Sequence, residues 1–238
     1  MSAADRRRMR LGFAVLFALV FLRVCRYGLS YLPMLDDYIQ YYNYANLYPD
    51  RAELLRLMGA FSARPLAGVL DIVFWSRFWD HLIAAVALLS ALYAAAGMLF
   101  FSVWRRRLGA TWLFPVLFAL FPWGLEGTYW LSASTRIVPG MFFTALALWC
   151  FDRWCEQGGK GALVGYFLAQ LLSFGFYEQT LLLSCACLVL GFALWAGKAL
   201  RRALAAAWTF VCGGAYLLVT TLAPAGNLYG ARTALLLP

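Results

Sequence analysis

The sequence predicts an all-α integral membrane protein with about seven transmembrane helices. The 238 residues are 64% hydrophobic and only 13% charged, whereas an average soluble domain has about 25% charged residues. Phe, Trp and Tyr make up 18% of the chain, and Trp and Tyr are enriched at bilayer interfaces. These proportions exclude a soluble globular domain. The length suits a single polytopic membrane domain over residues 1–238.

Apolar runs define the predicted spans, because a helix needs about 20 apolar residues to cross the hydrocarbon layer. The runs cover residues 11–32, 82–104, 110–124, 137–151, 161–176, 179–197 and 203–222. The first run follows four arginines, as a signal peptide would, but it continues past Arg23 and Arg26 without a small-residue cleavage site. We therefore interpret it as a retained first helix.

The basic residues between the runs indicate the topology. If residues 65–79 do not span, every short basic cluster falls on one side, as the positive-inside rule expects for the cytoplasm. The N-terminus is then cytoplasmic, and the outer segments are residues 33–81, 125–136, 177–178 and the tail. The cytoplasmic clusters are Arg6–Arg10, Arg105–Arg107, Arg153 with Lys160, and Lys198 with Arg201 and Arg202.

Residues 65–79 form a short apolar segment within the long outer loop 33–81. A crossing here would move Arg105–Arg107 outside and invert every later assignment. We interpret the segment as an interfacial or re-entrant helix, held near the outer surface by Trp75, Trp79 and Arg77. The competing interpretation is a tilted span of 15 residues.

Two adjacent carboxylates, Asp36 and Asp37, directly follow the first predicted span. Adjacent carboxylates repel, so one of them can hold its proton at elevated pH and become a candidate general base. The alternative is a solvated helix end, or an N-cap for the helix that follows.

Three more charged residues are predicted to lie on the outer side. Arg64 and Arg136 are flanked by small residues and turn formers, and they either clamp a phosphate bidentately or anchor the interface. Glu178 lies between two apolar runs, where a carboxylate is costly unless it is paired or faces a wet cavity. We expect Asp36 to lie at the mouth of an outer cavity that these three residues also line. The alternative for Glu178 is an interfacial pair with a surface Arg.

The sequence identifies no cofactor, although a divalent metal stays open. The single His81 cannot complete a usual zinc site, and Cys185 and Cys187 lie in an apolar run with no His nearby. We interpret the six cysteines as small apolar side chains. Nucleic acid is not an expected partner despite the net charge of +9, because no basic stripe continues along any helix.

The outer-loop motifs resemble those of membrane glycosyltransferases of the GT-C fold, which take sugars from polyprenyl-phosphate donors. The chain is similar in particular to bacterial O-antigen-modifying glucosyltransferases and the related mannosyl- and aminoarabinosyl-transferases. The stretches that carry the resemblance are Leu35-Asp36-Asp37-Tyr38, Ser62-Ala63-Arg64-Pro65-Leu66, Trp130-Leu131-Ser132-Ala133-Ser134 and Phe176-Tyr177-Glu178.

This resemblance implies transfer of a hexose from undecaprenyl phosphate, or a similar lipid carrier, to a glycan, lipid or protein acceptor. The location would be the outer face of a bacterial inner membrane, as part of cell-envelope synthesis. Asp36 or Asp37 would act as the base, and Asp36 is preferred as the first acidic residue of the motif. Attack on the anomeric carbon would be in line, with inversion.

The remaining outer residues take binding roles under the same resemblance. Arg64 and Arg136 would stabilise the leaving phosphate, whose charge grows in the transition state. Tyr129 and Trp130 would stack on the sugar, and Glu178 would line the substrate cavity. The chain lacks the nucleotide-phosphate motif G-x-x-x-x-G-K-[ST], which fits a lipid donor better than a nucleotide sugar.

The chain departs from the family in length. Family members usually run longer, and this chain ends at Leu236-Leu237-Pro238, in what resembles the start of another apolar segment. A fragment, a minimal module and an inactive relative are the three open interpretations. The alternative function is non-catalytic: a lipid-binding or helper subunit, or a small transporter. Pro115 and Pro122 are candidates for the broken helices that a transporter needs.

Overall fold

The computed structural model describes residues 3–25, 30–47, 50–55, 64–120, 130–195 and 197–222. Every regular element within these ranges is helical, which confirms the predicted all-α class. The short elements all lie within the predicted outer loop 33–81, here called the first loop: they are α2 (Leu35–Asp37), a π-helix (Tyr38–Leu47), α3 (Arg51–Leu54), α4 (Pro65–Val73) and a 3-10 helix (Trp75–His81). The other helices are α1 (Ala3–Val24), α5 (Leu82–Leu108), α6 (Leu113–Leu120), α7 (Leu131–Gln157), α8 (Lys160–Phe176), α9 (Gln179–Leu194) and α10 (Ala199–Leu222).

Two segments among the described residues are long and apolar enough to cross a membrane. They are Trp75–Leu108, which joins the 3-10 helix to α5, and α7. Helices α8 and α9 are apolar but shorter. The structure thus supports helices of membrane-spanning size, and the arrangement with about seven spans stays a prediction.

The predicted boundaries differ from the observed ones mainly at the helix ends. Helix α7 extends beyond the predicted run 137–151 on both sides, from Trp130 as its N-cap to Gly158, whose φ of 71° ends it in the left-handed conformation. Polar residues such as Ser132 are helical here because contacts with the first loop hold the start of the helix in place. Within the predicted outer loop 33–81, residues Arg51–Leu54 form α3, and residues 56–63 lie outside the described ranges.

Helix α7 occupies the centre of the bundle. It packs along α8 on one side and along α5 on the other, and α1 covers α5. Close approach depends on two glycines at one end of the bundle. A Cβ atom at Gly140 of α7 would lie 2.8 Å from Thr180 Cγ2, and one at Gly175 of α8 would lie 2.5 Å from Leu66 Cδ1. These glycines let α9 and α4 reach the packed helices.

The helix termini that carry the basic clusters meet at one end of the bundle, here called the basic end. Asp152 near the end of α7 is fully buried. It accepts hydrogen bonds from Arg106 and Arg107 at the end of α5, and from Trp195 Nε1 at 3.0 Å. Arg201 at the start of α10 donates to the Trp154 and Cys155 carbonyls, and Arg105 approaches Asp5 of α1 at 3.8 Å.

The opposite end, here called the polar end, contains the first loop, α4 and the starts of α7 and α9. Both ends of α4 are attached there: Arg64 pairs with Glu178, and Asp71 pairs with Arg136. Nine residues make a helix about 14 Å long, less than half of the roughly 30 Å hydrocarbon layer. Helix α4 alone is thus too short to cross the layer, but residues 75–79 of the predicted segment 65–79 belong to the candidate span Trp75–Leu108, and the interpretation of 65–79 as non-spanning stays a prediction.

Candidate functional site

Asp37 joins the first loop to the start of α7. Its carboxylate is fully buried, and both oxygens accept hydrogen bonds. Oδ2 accepts from Tyr31 Oη at 2.5 Å and from the Met34 amide at 3.0 Å, while Oδ1 accepts from the Ser132 amide at 2.7 Å. Asp37 therefore acts as a brace within the protein.

Asp36 occupies a different environment from its neighbour. Its side chain is half-buried, and no partner for its carboxylate lies among the described residues. Consecutive helical residues point about 100° apart, which explains why only one of the two carboxylates enters the protein. Asp36 is the member of the pair whose oxygens can receive a proton from a bound molecule.

A buried polar group connects the π-helix, α4 and α7. Tyr41 Oη lies 2.6 Å from Thr135 Oγ1 and donates to Asp71 Oδ1 at 3.1 Å. Arg136 donates to Asp71 Oδ2 through Nε at 3.1 Å. Tyr41, Asp71 and Thr135 are all at most 1% exposed. Burial raises the pKa of Asp71, although the Arg136 charge and hydrogen bonds from Thr135, Arg136 and Tyr41 oppose that increase.

A second ion pair closes the corner between α8 and α9. Arg64 holds Glu178 bidentately, with Nε to Oε2 at 2.6 Å and Nη2 to Oε1 at 2.5 Å. The guanidinium also lies 4.4 Å from the centre of the Tyr177 ring. Burial works to raise the pKa of Glu178, but the hydrogen bonds and charge of Arg64, with a contribution from Arg136, outweigh it and lower the pKa.

The two ion pairs lie at the same end of the bundle, and the Arg136 charge contributes to the lowered pKa of Glu178. The structure thus places Arg64, Arg136 and Glu178 at the polar end, in two separate pairs. Asp36 lies on α2, which contacts α7 at the same end.

Of the two aromatic residues predicted to stack on the sugar, the structure describes only Trp130. Trp130 is 39% exposed at the start of α7, and Tyr129 lies outside the described ranges. A narrow apolar cleft with a volume of only about 10 Å³ lies between α1, α5 and α7. Tyr31 and Leu131 of the polar end line it, so the cleft begins beside the Asp37 brace. The other lining residues are Val20, Val86, Leu89, Ser90, Tyr93, Ser134 and Val138.

Sequence reasoning did not identify Asp71, Tyr41 or Thr135 as site residues. Asp71 carried a usable signal, because a carboxylate inside an apolar run is costly without a partner. Tyr41 and Thr135 carried none, since several Tyr and Thr residues stand in the same polar stretches. In the described part of the chain, no group of three or more His, Cys, Asp and Glu side chains could hold a metal ion.

Comparison of the chain with protein-family models, with curated proteins and with solved structures gave no match in any of the three. The geometry of the polar end therefore carries the functional conclusion.

Proposed function

We propose that the protein is a membrane glycosyltransferase that moves a hexose from a polyprenyl-phosphate donor to an acceptor on the extracytoplasmic face. The observation that supports this best is the composition of the polar end. A carboxylate without a protein partner among the described residues, Asp36, shares one end of an apolar helical bundle with two arginines. Transfer from a lipid phosphate needs a base for the acceptor hydroxyl and positive charge for the leaving phosphate, and the carboxylate and the arginines are groups of these two kinds.

The orientation of the bundle supports an extracytoplasmic site. Arg105–Arg107, Lys198 and Arg201 all lie at the basic end, and basic residues near spans favour the cytoplasm. The polar end then faces outward, with about seven spans between the two ends and the N-terminus inside. We place the protein in a bacterial inner membrane. A cysteine at position 106 should react with an impermeant maleimide only after the cells are opened.

The proposed reaction is a single inverting displacement. An Asp36 oxygen takes the proton of the acceptor hydroxyl, and the acceptor oxygen attacks the anomeric carbon. The bond from that carbon to the phosphate oxygen breaks, and its electron pair leaves with the lipid phosphate. Arg64 and Arg136 stabilise the charge that grows on the phosphate. No oxidant, reductant or further reactant is needed.

The proposal also assigns substrate contacts. Trp130 and Tyr129 would stack on the sugar ring, and Glu178 would line the cavity beside Arg64. The prenyl chain of the donor would lie in a groove between helices. Membrane lipid would surround the remainder of the chain.

The test uses the purified protein in lipid nanodiscs with polyprenyl-phosphate-linked glucose that carries a radiolabel in the sugar. A cell-envelope extract supplies acceptors. We expect label to move from the lipid to an acceptor while polyprenyl phosphate accumulates, and a nucleotide-linked glucose to give no transfer. Donor that neither binds nor reacts, across glucose, mannose and aminoarabinose forms, would refute the proposal.

The second candidate is a non-catalytic lipid-binding or helper subunit, or a small transporter. The observation that favours it is a pair of buried polar atoms beside a small cavity of about 10 Å³ between α7, α8 and α9. Gln170 Nε2 and Ser184 Oγ are buried there with no hydrogen-bond partner among the described residues. Donor binding without consumption in the same nanodisc assay would favour the helper, and movement of the donor across the bilayer would favour the transporter.

A further inference from the structure

The two outer arginines of the proposed phosphate site differ in how they are paired. Each guanidinium already holds a carboxylate, so a phosphate can enter only by replacing or sharing that partner. The Asp71–Arg136 pair is enclosed, with side chains 1% and 18% exposed, whereas the Arg64–Glu178 pair is 30% and 40% exposed. Solvent therefore reaches the second pair far more easily than the first.

We infer that Glu178 is a resident anion that occupies the phosphate-binding fork of Arg64 and exchanges with the phosphate of the lipid substrate. This inference rests on the proposed function and assigns Glu178 a competing role at that site.

The geometry of the pair supports exchange. Glu178 contacts Arg64 through Nε and Nη2, the edge of the guanidinium that binds two oxygens of a carboxylate or a phosphate equally well. The Tyr177 ring covers one face of the guanidinium at 4.4 Å. That stacking keeps the fork in place when its anion changes, so the empty site would stay formed.

The exposure of the pair supplies a place for the displaced carboxylate. Glu178 is 40% exposed, so its carboxylate can turn toward solvent when a phosphate takes Arg64. Arg136 keeps Asp71 as its buried partner throughout. The exchange then needs a side-chain movement at the α8–α9 corner and leaves the enclosed pair intact.

The test measures equilibrium binding of farnesyl phosphate to the full-length protein in detergent, for the wild type and for Glu178→Gln. The amide keeps the shape of the side chain but competes weakly for the guanidinium. We expect Glu178→Gln to tighten farnesyl phosphate binding about tenfold, which corresponds to about 1.4 kcal/mol. Farnesol should bind equally to both proteins, and inorganic phosphate as the competitor separates the headgroup from the lipid chain.

Asp80→Asn is the matched control, because Asp80 is an exposed carboxylate just before α5 at the same end. It removes the same charge without touching Arg64, and we expect less than about a twofold change, since solvent and salt screen it. Arg64→Gln should remove the gain given by Glu178→Gln when the two are combined. If Arg64→Gln does not fold, Arg64→Lys keeps the charge without the fork and should bind with intermediate affinity.

The outcomes separate this inference from the proposed function. Unchanged or weaker binding by Glu178→Gln would show that Glu178 positions Arg64, and it would overturn the exchange even if the wild type transfers sugar. Equal tightening by Asp80→Asn would reduce the effect to net charge and overturn it as well. Absence of farnesyl phosphate binding in every variant would overturn both the exchange and the lipid-phosphate site.

Discussion

Replacement of Asp37 by Asn should destabilise the protein strongly, whereas the same change at Asp36 should not. The Asp37 carboxylate accepts hydrogen bonds from Tyr31 and from the amides of Met34 and Ser132. An amide at this position turns an N–H donor toward at least one of these donors and leaves it unpaired. Hydrogen bonds to a charged group contribute about 1.5–3 kcal/mol each, and neutral ones about 0.5–1.5 kcal/mol.

With one bond lost and two weakened, we expect Asp37→Asn to cost about 3 kcal/mol. Asp36 is half-buried and has no partner in the described ranges, so Asp36→Asn should stay within about 0.5 kcal/mol of the wild type. Unfolding by SDS in mixed micelles, followed by the fluorescence of the ten Trp residues, measures both. A loss below about 0.5 kcal/mol for Asp37→Asn would refute the bracing role.

Three further predictions concern the ion pairs. Asp71→Asn or Arg136→Gln alone should cost about 3–5 kcal/mol, because each leaves a poorly solvated charge without its partner, and a double-mutant cycle should show the double variant recovering part of that loss. Asp152→Asn should cost about 3 kcal/mol, because the buried carboxylate accepts hydrogen bonds from Arg106, Arg107 and Trp195 and bonds to a charged group contribute about 1.5–3 kcal/mol each, while Asp5→Asn, a change at a partly exposed pair, should cost less than about 0.5 kcal/mol; equal effects in the same unfolding assay would contradict the burial argument. The pKa of Glu178 lies below its ordinary value of 4.5, so its pairing stabilises the folded state above that pH and the contribution is lost as the pH falls through the folded pKa. The wild type should therefore lose more stability than Glu178→Gln when unfolding is compared on the two sides of pH 4.5, and equal losses would contradict the pairing.

The helical class and the grouping of the basic termini follow from the sequence because both depend on simple composition. Arginines are placed by the cost of moving charge through lipid, so their positions along the chain predict which termini meet. The contact of Arg106 and Arg107 with Asp152 agrees with that grouping. Which end of the bundle faces the cytoplasm depends on the bilayer as well as on the chain, so the orientation of the bundle stays a prediction.

The polar end was harder to predict, because its contacts join residues far apart in the chain. Arg64 and Glu178 both stood out from the sequence, yet nothing in their spacing indicated a bidentate pair. Asp36 and Asp37 look equivalent as neighbouring carboxylates. Their different environments arise from the direction of a short helix, which is set by the contact of α2 with α7 rather than by local sequence.

The number of membrane spans is also hard to predict from the sequence alone. Runs such as 161–176 and 179–197 are apolar enough to be predicted as spans, but α8 and α9 are shorter than the two candidate spans in the described part of the chain. Composition sets which residues avoid water, whereas tilt, packing and helix ends decide how much of the layer each helix crosses.

Sugar transfer by the Asp36→Asn variant tests the central claim most directly. The assay uses membranes with radiolabelled polyprenyl-phosphate glucose and compares the wild type, Asp36→Asn, Asp37→Asn and the double variant at matched amounts of folded protein. We expect Asp36→Asn to lose transfer while donor binding and stability stay nearly unchanged, because only the proton acceptor is removed. Full transfer by Asp36→Asn with an inactive but folded Asp37→Asn would assign the base to the other carboxylate. Full transfer by the folded double variant would contradict the acid–base mechanism.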